Sequence, residues 1–161
     1  MKESDYLDEN APVVQRLKEL PIFRSFDEED IRGILPFSKM REYEEGETII
    51  REGDNTDKHI YFLLSGKVAV MRDGVELYRV GHSGEIFGEM AMLEHKARSA
   101  SVNALHQTLC LAVNSSYTEM LEKQEKVKFM YILYRVIAET LSERLRVANE
   151  KFVEAKKHPT L

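Results

Sequence analysis

Between Phe37 and Val113 the sequence consists of short runs of β-branched and aromatic residues separated by glycine-containing turns. Asp73-Gly74 stands between two alternating segments and predicts a tight hairpin, because glycine accepts the positive φ that such a turn requires. Many short strands of this kind predict a closed or sandwiched antiparallel β structure over residues 37–114. The runs are ETIIREGD, HIYFLLSGKVAVMRDGVELYRVG, SASVNAL and TLCLAVN, and the separating glycines are Gly46, Gly53, Gly66, Gly74, Gly81 and Gly84.

Helical patterns lie on both sides of this β region. Residues 1–36 form an N-terminal helical segment with two predicted helices, of which the first ends at Pro21. Ser25 with Glu28 resembles a capping box that opens the second helix. The predicted fold class is therefore α+β, mainly β, with helices before and after an antiparallel core.

The C-terminal region, residues 115–161, is also predicted to be helical, with Ser115 or Ser116 as a cap. A helix from near Glu125 to Lys156 would be roughly 45 Å long, which is more than a small β domain can cover. We expect part of it to pair with the same helix of a second copy in a homodimer, although packing on its own sheet is an alternative. Its apolar residues recur at steps of three or four, at Tyr134, Ile137, Leu141, Leu145, Ala148 and Phe152.

Composition excludes several classes of function. The 23 Lys+Arg and 28 Asp+Glu give a formal charge of −5 without a basic patch, so a nucleic-acid partner is not expected. No apolar run is long enough for a membrane span and the N-terminus has no signal core, so we expect a cytoplasmic protein without a membrane partner. Cys110 is the single cysteine, which rules out an internal disulfide and also a thiolate-held iron–sulfur cluster or a Cys-rich zinc site, because each needs several cysteines. No nucleophile with an adjacent base is evident, so neither catalysis nor a cofactor is expected.

The stretch EIFGEMAMLEHKARSASV, residues 85–102, has the pattern of an anion site. Gly88 follows a strand and precedes a short helix, so that free backbone N–H groups can face an anion. Arg98 lies among small residues and can bind a phosphate through two parallel hydrogen bonds. Glu89 would repel a phosphate, and we expect it instead to accept a hydrogen bond from a sugar hydroxyl. The alternative is that Glu89 and Arg98 form an ion pair within a loop.

FGEMAML followed by ARSASV, between a glycine-punctuated β region and a long helix, resembles the phosphate-binding cassette of the cyclic-nucleotide-binding domain family. That family includes the bacterial catabolite activator, the regulatory subunits of protein kinase A and the cyclic-nucleotide-gated channels. The resemblance extends from about Ala11 to Phe152 and implies a jelly-roll-like β-roll with the cassette at residues 86–102. It implies a backbone contact at Gly88, a ribose 2′-hydroxyl contact at Glu89 and a cyclic phosphate contact at Arg98, with Met90, Ala91, Ser99 and Ala100 beside them.

The segment ERLRVANEKF resembles the dimer helix of the catabolite activator around its adenine-contacting pair, matched here by Ala148 and Asn149. Alanine cannot make a side-chain contact, whereas the Asn149 amide offers a donor and an acceptor that suit adenine or guanine. The resemblance therefore implies a receptor for cAMP, with cGMP as the alternative ligand, that signals by repositioning its C-terminal helices.

Phe152 is followed by nine residues, at the place where the activator family continues into a helix-turn-helix domain. We accordingly expect a receptor without its own DNA-binding or kinase domain, which acts through an unknown downstream protein. Two alternatives on the same fold stay open, namely an interaction module that binds no nucleotide and a haem sensor. A haem sensor would need an axial histidine, for which the candidates are His59, His82, His95 and His106.

Overall fold

The structure is a computed structural model that describes residues 1–4, 7 and 11–157 of the 161-residue chain. Helix α1 spans Ala11–Glu19 and helix α2 spans Glu28–Ile34, and each is followed by a short 3-10 turn. The capping box of α2 differs from the predicted Ser25–Glu28 pair. The Asp27 carboxylate accepts a hydrogen bond from the Asp30 backbone N–H at 2.8 Å, and the Asp30 carboxylate accepts one from the Asp27 N–H at 3.2 Å. The Ser25–Glu28 prediction is wrong because two aspartates repeat the same spacing two residues later, where the helix begins.

The described strands form two antiparallel sheets. One sheet has the strand order β1-β2-β9-β4-β7 and the other has the order β3-β8-β5-β6. This arrangement confirms the predicted α+β fold with an antiparallel β-roll. The strands are β1 Lys2–Ser4, β2 Ser38–Tyr43, β3 Thr48–Ile50, β4 His59–Ser65, β5 Val68–Arg72, β6 Val75–Val80, β7 Ile86–Phe87, β8 Ser101–Ala104 and β9 Thr108–Asn114.

Strands β5 and β6 form the hairpin that Asp73-Gly74 predicts. Asp73 has φ +50° and Gly74 has φ +76°, so both central residues of the two-residue turn adopt left-handed backbone. Such turns match the right-handed twist of the paired strands. The hairpin is confirmed, and it places β6 at the end of the four-stranded sheet.

After β7 the chain forms helix α3, Glu89–Glu94, and after β9 a 3-10 helix, Ser115–Met120, leads to helix α4, Lys123–Lys157. The cap of the 3-10 helix is Asn114, whose side-chain oxygen accepts a hydrogen bond from the backbone N–H of Ser116 at 2.9 Å. The predicted cap at Ser115 or Ser116 is therefore one or two residues too late. At 1.5 Å per residue, the 35 residues of α4 extend about 52 Å.

Apolar side chains form two layers of core. One layer lies between the two sheets and contains Tyr61 and Phe87. The other lies between the five-stranded sheet and the helices, and α4 contributes to it as far as Ile137. Ile137 was predicted in the stripe that pairs two chains, but it is buried in the core of its own chain and Leu141 is packed against that core. Helical spacing alone does not specify which surface covers a stripe.

Candidate functional site

Gly88 joins β7 to α3 in a conformation that favours glycine. Its φ is +80°, and it lies at the N-cap of α3. A Cβ atom at this position would lie 2.9 Å from both Arg98 Nη1 and Ile50 Cδ1, and 3.3 Å from the carbonyl oxygen of His59. A side chain at residue 88 would therefore need strained backbone and would also displace the guanidinium of Arg98.

Arg98 is buried and tightly held. Its Nη1 donates to the carbonyl oxygen of Gly88, and its Nη2 donates to Asp57 Oδ2 and to the carbonyl oxygen of His59, each at 2.7 Å. The backbone is fixed as well, since the Arg98 N–H donates to the Asp54 carbonyl and the Gly53 N–H donates to the Arg98 carbonyl. The Nε–H of Arg98 is buried and has no acceptor among the described residues. An unsatisfied buried donor is uncommon, so this atom identifies a position where an acceptor can bind.

Asp57 is the counter-charge of Arg98. Its Oδ1 accepts hydrogen bonds from the backbone N–H of His59 at 3.1 Å and from Nδ1 of the His59 ring at 2.6 Å, and its Oδ2 also accepts one from the Tyr61 hydroxyl at 3.2 Å. Burial alone would raise the pKa of the Asp57 carboxyl, but the hydrogen bonds from His59 and the charge of Arg98 outweigh it and hold that pKa well below its ordinary value. Asp57 therefore stays ionised at neutral pH.

Behind Asp57 the polar contacts continue to the edge of the five-stranded sheet. Arg41 Nη1 donates to the Tyr61 hydroxyl at 3.0 Å, and Arg41 Nη2 lies 3.4 Å from Nε2 of His59. Arg41 Nε in turn donates to Glu3 Oε2 at 2.7 Å. The Tyr61 ring stacks on Phe87 with 5.1 Å between centroids, which ties this network to the strand that precedes Gly88. The network was missed by sequence reasoning because Glu3 and Arg41 are far from Asp57, His59 and Tyr61 in the chain.

Glu89 is also buried, but its partner is not Arg98. Arg144 of α4 donates from Nη1 to Glu89 Oε1 at 2.7 Å, and its Nη2 donates to the carbonyl oxygen of Ile86. The guanidinium carbon of Arg144 lies 5.2 Å from the centroid of the Tyr78 ring. The alternative of a local Glu89–Arg98 ion pair is therefore not observed, and no described residue donates to Glu89 Oε2. Arg144 was not predicted, although a basic residue on the long helix is the type of signal that suggests a partner for a buried carboxylate.

A cleft with a cavity volume of about 140 Å³, open to solvent on one side, connects these groups. Arg98 and Glu89 line it with relative exposures of only 4% and 2%, so its wall presents one buried cation and one buried carboxylate. The structure brings seven of the predicted site residues together in this lining: Gly88, Glu89, Met90, Ala91, Arg98, Ser99 and Ala100.

Other candidate residues lie elsewhere. Asn149 is exposed on the second half of α4 and does not line the cleft. The four histidines named as possible haem ligands do not line it either, and His59 is bonded to Asp57. Within residues 1–4, 7 and 11–157 no group of three or more metal-ligating side chains is close enough to hold a metal ion. Within the same residues no helix has the length and apolarity that crossing a bilayer requires.

Fold and cleft define a β-roll protein whose cleft wall presents a buried cation and a buried carboxylate. The family model of the cyclic nucleotide-binding domain matches residues 40–125, more than half of the chain. The chain belongs to the cyclic nucleotide-binding domain family.

Individual relatives agree with this assignment. The chain is similar to the cyclic AMP receptor protein of Thermus thermophilus. The two are 31% identical over 139 residues, and the aligned region covers 83% of this chain and 61% of that protein. It is also similar to the cAMP-dependent protein kinase type II regulatory subunit of Drosophila melanogaster. These two are 32% identical over 97 residues, and the aligned region covers 60% of this chain and 25% of that protein. The chain thus spans less than two thirds of either curated relative. A cyclic nucleotide-binding domain from Methylobacillus flagellatus has the same fold, with a TM-score of 0.71 and 21% identity over 92% of this chain and 83% of that one.

Gly88 must adopt a positive φ and must also fit into closely packed surroundings, and comparison with Gly46 separates these two requirements. Gly46 has φ +84°, but a Cβ there would meet no atom within 4 Å. Replacement by alanine at Gly46 should cost only the backbone strain, roughly 1–2 kcal/mol of unfolding free energy. Gly88→Ala should cost about 1–3 kcal/mol more, because the methyl group overpacks against Arg98 and Ile50. Chemical unfolding of both variants measures the difference, and equal losses would show that the close packing around Gly88 is unimportant.

Proposed function

We propose that this protein is a receptor for a 3′,5′-cyclic nucleotide, with cAMP as the ligand rather than cGMP, and that it has no catalytic activity of its own. The observation that carries the proposal is the pair of buried, oppositely charged side chains in one cleft wall, Arg98 and Glu89, each held by a different partner. A nucleotide has both a phosphate and a ribose, so the pair matches two of its parts. The names of the two curated relatives, both of which refer to cAMP, support the choice of ligand.

In the proposed complex, Arg98 binds the cyclic phosphate. Its Nε–H lacks an acceptor among the described residues, so a phosphate oxygen would satisfy a donor that the protein leaves open. The other guanidinium nitrogens are held by Asp57, Gly88 and the carbonyl of His59. The side chain is therefore ordered before the ligand arrives, which lowers the entropy cost of binding. Ser99 and Ala100 lie beside it in the cleft lining.

Glu89 would accept a hydrogen bond from the ribose 2′-hydroxyl. In a 3′,5′-cyclic nucleotide the 3′ and 5′ oxygens are tied into the diester, so the 2′-hydroxyl is the sugar's free donor. Glu89 Oε1 is bonded to Arg144, and Oε2 receives no hydrogen bond from a described residue. The hydroxyl can therefore donate to Oε2 while Arg144 stays in place.

Arg144 supplies a route from the ligand to the C-terminal helix. It projects from α4 and reaches both the Glu89 carboxylate and the carbonyl of Ile86. A hydroxyl that donates a hydrogen bond to Glu89 would change the strength of the ion pair between Glu89 and Arg144. That ion pair connects α4 to the cleft. We infer that ligand binding changes the position of α4. This change would be sensed by a downstream protein of unknown identity in the cytoplasm.

The exposed half of α4 is the proposed dimer surface. Beyond Ile137, Leu145 and Phe152 continue the predicted stripe, and both are exposed in a single chain. A stripe of this kind on a helix longer than its own domain is suited to a second copy of the same helix. We therefore propose a homodimer, in which Asn149 of α4 could meet the base from the second subunit.

Arg98→Ala should weaken binding of cAMP by roughly 30-fold or more, because the loss of one member of a buried charge-assisted pair costs about 2–5 kcal/mol. Calorimetric titration of wild type and variant with cAMP and cGMP measures this loss. Arg98→Lys is a second variant that keeps the charge without the planar fork, and it should bind with intermediate affinity. Unchanged affinity in variants whose melting curves show a folded protein would disprove the assignment. A wild type that binds no cyclic nucleotide would instead favour the interaction module without a nucleotide.

Wild-type protein should bind the 2′-deoxy analogue of cAMP about 10- to 100-fold more weakly than cAMP, since a hydrogen bond to a charged group contributes roughly 1.5–3 kcal/mol. Glu89→Ala should lose this discrimination. Competition titrations with both ligands give the ratio for each protein. If the variant still separates the two ligands as strongly as wild type, the hydroxyl is recognised by another residue.

Leu145→Asp should convert the proposed dimer into monomers, because a carboxylate in the helix pair would be desolvated without a partner. Leu145 is 62% exposed, so the change should not disturb the core of the chain, whereas Leu141 contributes to that core. Val147→Asp is a matched control two residues away, off the stripe, and should remain dimeric. Sedimentation equilibrium distinguishes the states. A monomeric wild type, or dissociation of both variants alike, would contradict the proposed interface.

A further inference from the structure

Arg41 of β2 is a half-buried cation that lies outside the cleft. Its side chain is 15% exposed and does not line the cleft. A cation withdrawn from water needs counter-charge and acceptors close by. Its Nε donates to Glu3 Oε2 at 2.7 Å, which supplies the counter-charge from β1. The two outer nitrogens of the guanidinium face side chains of β4 instead.

These two nitrogens reach one carboxylate, that of Asp57, by two parallel bridges. Arg41 Nη1 donates to the Tyr61 hydroxyl at 3.0 Å, and that hydroxyl donates to Asp57 Oδ2 at 3.2 Å. Arg41 Nη2 lies 3.4 Å from His59 Nε2, and Nδ1 of the same ring lies 2.6 Å from Asp57 Oδ1. A neutral imidazole that donates from Nδ1 has an acceptor at Nε2, which suits a donor such as Arg41. The fork of Arg41 thus orients both side chains that bond the two oxygens of Asp57.

The orientation of Asp57 bears directly on Arg98. Asp57 Oδ2 accepts hydrogen bonds from both the Tyr61 hydroxyl and Arg98 Nη2. Because Arg41 can only donate, the single proton of the Tyr61 hydroxyl is left for Asp57. The carboxylate is therefore fixed from behind, and it fixes the guanidinium whose Nε–H lacks an acceptor among the described residues. The charge of Arg41 also offsets part of the negative charge of Asp57, which would otherwise repel a phosphate beside Arg98.

We propose that Arg41 is a positioning residue for the phosphate-binding site and that strand β1 keeps it in place. The inference rests on the proposed function, which assigns the phosphate to Arg98. Strand β1 lies at the edge of the five-stranded sheet, and its three residues are exposed. Hydrogen bonds from Lys39 and Arg41 lower the pKa of the Glu3 carboxyl below its ordinary value, so Glu3 is ionised at neutral pH. A change at the N-terminal strand would therefore reach the cleft through Glu3 and Arg41.

Arg41→Met should weaken cAMP binding by roughly 3- to 10-fold, because Arg98 is then less well ordered before the ligand arrives. Tyr61→Phe keeps the ring that stacks on Phe87 but removes the hydroxyl, and a loss of similar size is expected. The two changes act on one bridge, so the double variant should lose less than the product of the two single losses. Arg41→Lys keeps the charge without the fork and should bind with intermediate affinity. Glu3→Ala should weaken cAMP by about 2- to 5-fold.

Arg79→Met is the matched control. Arg79 is also a strand arginine paired with a glutamate, Glu76 at 2.8 Å, but it does not line the cleft, so cAMP affinity should stay within about 2-fold of wild type. The preference of Arg41→Met for cAMP over its 2′-deoxy analogue should equal that of wild type, because Glu89 has no contact with the network around Asp57. A general loosening of the cleft would reduce that preference as well.

Calorimetric titration of all variants, with melting curves to show that each is folded, decides between these outcomes. Unchanged cAMP affinity in Arg41→Met and Glu3→Ala, a reduced preference against the 2′-deoxy analogue, or fully multiplicative losses in the double variant would overturn the positioning role while the receptor function stands. If Arg41→Met does not fold, Glu3→Ala and Tyr61→Phe decide the question in its place. If wild type binds no cyclic nucleotide, the proposed function fails and the positioning role fails with it.

Discussion

The burial of Arg98 is the physical constraint on which the site depends. A guanidinium that is removed from water must have counter-charge and hydrogen-bond acceptors close by. Asp57 supplies the charge, and the carbonyl groups of Gly88 and His59 supply acceptors. The close contact with Gly88 leaves no room for a side chain there, so the glycine, the left-handed turn and the arginine are parts of one arrangement. The β-roll provides the rigid backbone that holds these carbonyl groups in place.

A second buried pair lies beside the first and connects the cleft to a different element. Glu89 follows Gly88 directly, yet its partner Arg144 comes from α4. Of these two adjacent residues, Gly88 contacts Arg98 within the β-roll, and Glu89 contacts Arg144 on the C-terminal helix. This division keeps Arg98, the proposed phosphate-binding residue, free of contacts with α4, while the carboxylate beside it pairs with α4. In the proposed signalling role, α4 would therefore respond to the ligand through Glu89 and not through Arg98.

Local features of the site could be predicted from the sequence, and the non-local ones could not. Gly88 and Arg98 belong to one short stretch of sequence. The hairpin turn is local too, because it depends only on Asp73 and Gly74. Asp57 and Arg144 are 41 and 55 residues away from the groups they pair with, and only the folded chain brings them together. Ile137 illustrates a different limit of sequence reasoning. Its spacing predicts that it lies on a buried helix face, but the core of its own chain covers it rather than a second chain.

The pairing of the cations also bears on which phosphate the cleft can accept. Asp57 remains ionised beside Arg98, and Arg144 forms an ion pair with Glu89, so each cation near the proposed ligand already has a carboxylate partner. The cleft therefore offers directed N–H groups rather than an excess of positive charge. A cyclic phosphate diester has one negative charge, which such donors can satisfy. A phosphate monoester has close to two at neutral pH, and the second charge would be desolvated next to the carboxylates without a cation to balance it. Neutralised pairs of this kind favour the diester, which is the chemical difference between a cyclic nucleotide and its linear hydrolysis product.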